Sequence, residues 1–212
     1  MSVIGKSYIE YLTSFLLRML LLYVLFFAAQ VIFYFYNHEI IDSIPANELW
    51  NLSKGAFVFN SVSIFYTNLP FIVFSLIPAW WIENKSYQKF IAIWFTATNA
   101  LALSLHCADI FYYPFKLARI SSDDLHYFDE NNNVQLLGSF FLDYWFAFIA
   151  FGLFVWGLYY FAKRTIPRQT KPTGKTYIVN SIALLIACAC AIFMIRGGNF
   201  SASTRPIHVS DV

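Results

Sequence analysis

Six ionisable residues stand at or near the ends of apolar stretches in this chain: Asp109, Lys116, Arg119, Asp143, Arg196 and Arg205. Their types permit two kinds of chemistry. Carboxylates facing guanidinium groups form ion pairs that pin helices together. Guanidinium groups in excess of carboxylates bind phosphate, because the planar fork offers two parallel N–H bonds that an ammonium cannot reproduce. The sequence leaves both readings open: interhelical ion pairs, or a pocket for a phospholipid headgroup. A proton or ion path is the weaker third option, since no ladder of acids or histidines continues through the remaining apolar sequence.

Residues for covalent or metal chemistry are harder to find. His106 closes an apolar stretch beside Asp109, while His38, His126 and His208 lie in polar segments without partners at ligand spacing. The chain has no HExxH, no GxSxG and no glycine-rich phosphate loop. Ser201, Ser203 and Thr204 have no neighbouring base or metal set. No catalytic residue, cofactor or metal ligand is therefore assigned. Cys107, Cys188 and Cys190 read as small apolar residues, with no disulfide framework.

The elements that position these groups must work in lipid. Hydrophobic residues make up 59% of the 212 residues and charged residues 12%. Soluble domains carry roughly 25% charged residues, so there is too little polar surface here to cover a water-soluble globule. The net charge of +2 is not gathered into one basic face, so it does not point to nucleic acid, and no nucleic-acid partner is expected. Five apolar stretches, at about residues 13–36, 62–81, 90–109, 136–161 and 176–196, each approach the ~20 residues that a bilayer-crossing helix needs. None alternates as a membrane β-strand would. The predicted fold is an all-α polytopic bundle of five transmembrane helices. Pro70 and Pro78 predict a kink or re-entrant bend in the second. The mixed stretch at 110–125 predicts a short helix lying on the membrane surface. The first stretch is too long for a signal-peptide core and is read as retained.

Charge then orients the bundle. Lys163, Arg164, Arg168, Lys171 and Lys175 crowd the fourth loop, and Glu83, Lys85 and Lys89 the second. Glu39, Asp42, Glu48 and Lys54 occupy the first, while Asp123, Asp124, Asp129 and Glu130 dominate the third. The positive-inside rule places the N-terminus in the cytoplasm and the C-terminus outside. At about 1.5 Å per residue, the charged cluster shares the outer-leaflet level. Arg18 lies roughly 10 Å deeper on the same rise. It either snorkels to the inner headgroups or serves as a fixed partner for a helix end or a lipid phosphate.

Several of these residues also form short motifs. Asn99 followed by DIFYYPFKLARIS from Asp109 to Ser121, and IRGG from Ile195 followed by RPI from Arg205, occur in order along the chain. They resemble the membrane region of lipoteichoic-acid-synthase-like proteins, sulfatase-type members of the alkaline phosphatase superfamily. GAFVFNS from Gly55 resembles a further family stretch, but Val58 and Asn60 replace its usual cation and aspartate. The resemblance implies a membrane anchor of five spans at the outer face of a bacterial cytoplasmic membrane. It also implies an extracytoplasmic catalytic domain beyond Val212, holding a divalent metal and transferring phosphoglycerol or a similar group from a lipid. On that reading this chain is itself not catalytic, and its partners are membrane lipids and that domain. The alternatives are a self-contained membrane protein, such as a transporter subunit or scaffold, and a stand-alone intramembrane enzyme acting on lipid.

Overall fold

Thirty residues without Pro or Gly build α1, Ser7–Tyr36. In lipid no water is available to a bare N–H or C=O, so an apolar run of this length satisfies its backbone internally as a helix. The computed structural model describes residues 7–41, 45–120, 142, 144–167 and 174–196. After α1 come α2 (Leu49–Thr67), α3 (Leu69–Leu76), a 3-10 turn at Trp80–Glu83, α4 (Lys85–Lys116), α5 (Trp145–Arg164) and α6 (Gly174–Ile195). The described residues are helical or loop, with no strand among them.

Four helical segments are long and apolar enough to cross a membrane: Ile9–Tyr36, Lys85–Pro114, Trp145–Arg164 and Gly174–Ile195. The predicted second span differs. Its helix starts at Leu49 and breaks at Asn68, where α2 and α3 meet at 61°. Pro70 stands in the first turn of α3, where a missing N–H costs nothing. Pro78 lies beyond α3, in the non-helical link before the 3-10 turn. The bent pair makes a fifth crossing only if its two arms form one span.

The third predicted span runs longer than expected, because residues 110–116 continue α4 instead of starting a separate surface helix. Pro114 sits inside that last stretch. Its ring removes the N–H that would bond the carbonyl four residues back. That carbonyl, of Ile110, instead accepts from the Asn37 side-chain amide at 3.2 Å. The side chain just past α1 thus repairs the end of α4 and ties the two helices together. Leu117 then stops the helix in the left-handed region at φ 56°.

α1 packs against α2, α3, α4 and α6, while α6 lies on α2 and α3, and α5 runs along α4. The core is aliphatic and aromatic. Phe71 stacks on Phe15 at 6.0 Å and meets Phe95 at 4.8 Å, with Leu22, Ile64 and Leu76 fully buried around them. The outward faces are no less apolar: Leu153, Trp156, Ile182 and Leu185 are each more than half exposed. Only 11% of the most apolar window of α5 and 17% of that of α6 is covered by protein, leaving lipid to cover the remainder.

Candidate lipid-facing site

Four of the six predicted cluster residues, Asp109, Lys116, Arg119 and Arg196, fall within the described residues. Asp109 lies on α4, and its carboxylate Oδ1 accepts the backbone N–H of Ile120 at 2.8 Å. This bond folds the segment after Leu117 back toward the helix. It brings Arg119 over the ring of Phe33 on α1, with the guanidinium carbon 5.0 Å from the ring centre. Lys116 is exposed in the last turn of α4. Arg196 is half-buried just past α6, a helix that packs on α1, α2 and α3. Asp143 and Arg205 lie outside the described residues.

A cleft of about 440 Å³ opens beside Asp109, within the roughly 300–1,000 Å³ typical of ligand sites. One wall is α4, with Thr98, Ala102, His106 and Asp109; Ser63 and Thr67 of α2 face it. Phe26 of α1, almost wholly buried, packs edge-on against His106 at 4.8 Å and backs the cleft. Tyr66, Leu101 and Leu105 form lips that are each more than half exposed. A second cavity, bounded by Ser14, Arg18, Ser75 and Gln88, is only about 10 Å³, room for at most one water.

Around the cleft the helices are joined by neutral amides. Asn68 and Asn99, both fully buried, exchange hydrogen bonds of 2.9 and 2.7 Å, and each also donates back to a carbonyl of its own helix. Asn68 is the residue at the α2–α3 break, so this pair fixes the bend against α4. Gln30 and Asn60 form a second reciprocal pair at 3.0 and 3.1 Å, and the Tyr23 hydroxyl donates to Ser61 at 2.8 Å. Asn60, which replaces an aspartate of the resembled motif, therefore has a neutral partner.

Arg18 does not snorkel. It is 2% exposed, donating from Nε to the Thr165 hydroxyl at 3.0 Å and from Nη2 to the Ala162 carbonyl at 2.8 Å. Ser14 donates to the Thr165 carbonyl beside it. The cation thus caps the carbonyl end of α5, where a helix dipole favours positive charge. Of the two readings of Arg18, the fixed partner for a helix end is the one observed.

The amide pairs were the missed signal. Each of Gln30, Asn60, Asn68 and Asn99 sits in an apolar run, where an unpartnered amide would be costly, so each implied a partner helix. Which helix answers which amide is a tertiary fact. Among the described residues no group of three or more His, Cys, Asp or Glu comes together.

Fold and site define the class: a protein all-helical in its regular elements among the described residues, with helices long and apolar enough to cross a membrane. Comparison with family models, curated proteins and solved structures finds no match. The likeness to lipoteichoic-acid-synthase-like proteins stands on its short motifs alone.

Proposed function

We propose that this chain is a lipid-engaging membrane domain. It lies in a bacterial cytoplasmic membrane with its N-terminus cytoplasmic and the Asp109 end outside. There it anchors a sulfatase-type domain that moves phosphoglycerol or a similar group from a lipid, using a divalent metal held in that domain. The motifs around Asp109, Arg119 and Arg196 support the family reading, and the uneven loop charges support the orientation. The carrying observation is Arg119. It is held over Phe33 and stands one residue before Ile120, whose N–H is bound by Asp109, a residue that with His106 lines a cleft with exposed apolar lips.

A lipid phosphodiester at this mouth meets the Arg119 guanidinium, which Asp109 orients indirectly by fixing the Ile120 backbone. Asp109 and His106 stand ready to bond hydroxyl groups of the same headgroup. Retention of phosphatidylglycerol by purified protein, read by native mass spectrometry, tests this. Arg119→Ala is expected to weaken retention by about three- to ten-fold, the loss of one partly exposed charge-assisted contact, with an unchanged melting midpoint. Equal retention by a folded Arg119→Ala protein would reject the headgroup role.

A further inference from the structure

The shape of the cleft says more than its mouth. From Thr98 to Asp109 it follows α4 for about 16 Å, close to the roughly 15 Å that one leaflet contributes to a ~30 Å hydrocarbon layer. One end is lined by Asp109 and His106, and the Asp109–Ile120 bond holds the segment that carries the cation Arg119 beside that end. The other, at Thr67 and Thr98, adjoins the Asn68–Asn99 pair, where α2 ends and the chain turns by 61°. Between them the wall is mostly aliphatic and aromatic, with hydroxyls at Ser63, Thr67 and Thr98. Thr67 donates to the Ser63 carbonyl at 2.7 Å, so its methyl group is free to present an apolar face. The apolar lips, Tyr66, Leu101 and Leu105, are exposed.

We propose that this cleft holds one acyl chain of a single glycerophospholipid, drawn sideways from the leaflet with its phosphate at Arg119. This rests on the reading that the Asp109 end meets lipid headgroups, and it adds the tail. The chain lies between α2 and α4, and the Asn-fixed bend sets the depth to which it reaches. Bulk lipid solvates an acyl chain as well as the cleft does, so burial of the tail adds little affinity by itself. The headgroup contacts hold the lipid in place, and the cleft decides where its tail lies. The charge at the mouth argues for a phospholipid over a sterol or free hydrocarbon, and its length argues for one leaflet's chain.

Phosphatidylglycerol carrying a photoactivatable diazirine on one acyl chain tests the placement in the full chain reconstituted in nanodiscs. Crosslinks are mapped by mass spectrometry. In the wild type, labels are expected to concentrate on the Ser63–Thr67 and Thr98–Leu105 segments, several-fold above the lipid-exposed faces of α5 and α6. Ala102→Trp fills the cleft and is expected to bring those labels down to the α5 and α6 level. Ser63→Trp, on the opposite wall, is the second filler should the first fail to fold. Arg119→Ala is expected to reduce the same labels.

If a folded filling variant leaves the labels in place, or the wild type labels all helices alike, the tail site is wrong. If the fillers fail in that way while Arg119→Ala still lowers phosphatidylglycerol retention, the tail site alone falls and the headgroup reading stands. If neither changes anything, both fall.

Discussion

At the scale of single residues, most polar side chains buried among the described residues have hydrogen-bond partners. Arg18 illustrates the rule. With no acid among its bonded partners, its charge is met by the carbonyl and hydroxyl groups at the end of α5. Arg18→Met leaves that end uncapped and is expected to cost about 1.5–3 kcal/mol. At roughly 2–4 °C per kcal/mol for a chain of this size, the melting midpoint in detergent falls by several degrees. Arg18→Lys should recover part of the loss, because an ammonium lacks the fork that reaches both acceptors. Asn68 and Asn99 allow a sharper measurement. Either Asn→Leu change strands the other amide, whereas the double change removes both. A double-mutant cycle is expected to return a coupling of about 1–2 kcal/mol; additive effects would mean that the pair does not hold the bend.

Between elements, the information lies in how one helix repairs another. Pro114 strips a bond from the last turns of α4, and Asn37 supplies the replacement to the Ile110 carbonyl. Asn37→Leu is expected to destabilise the protein by about 1–2 kcal/mol. In a Pro114→Ala background the helix closes its own bond, and the same change should cost clearly less. Thermal melts of the four proteins decide this, and equal costs in both backgrounds would remove the repair.

The long helices were legible in the sequence because their apolar runs exceed what any soluble helix needs, and because lipid forces such runs to be helical. The bend was half legible. Pro70 signalled it, but the break falls at Asn68, where a side chain from α4 stabilises it. The continuation of α4 through Pro114 was not legible, since a proline there reads as a stop until Asn37 is seen across from it. Asp109 and Arg119 were identifiable from charge alone. The cleft beside them was not, because Ser63, Thr67 and Thr98 look like ordinary helix residues until α2 and α4 are set face to face.

At the scale of the whole molecule, everything turns on which solvent surrounds the bundle and which way it points. Exposed faces as apolar as the interior require lipid, and the cation-rich segment around Lys163 and Arg164 opposes the Asp109 end. The protein should therefore stay in the pelleted membrane through alkaline carbonate washing. The most direct measurement is labelling of single cysteines in intact cells with a membrane-impermeant thiol reagent. Leu117→Cys and Lys163→Cys are placed in a chain whose Cys107, Cys188 and Cys190 are replaced; both positions are exposed in the structure. The expected result is labelling of the cysteine at 117 in intact cells, and of that at 163 only after permeabilisation. Labelling in the opposite order, or of both sites before permeabilisation, would contradict the orientation and with it the proposed site.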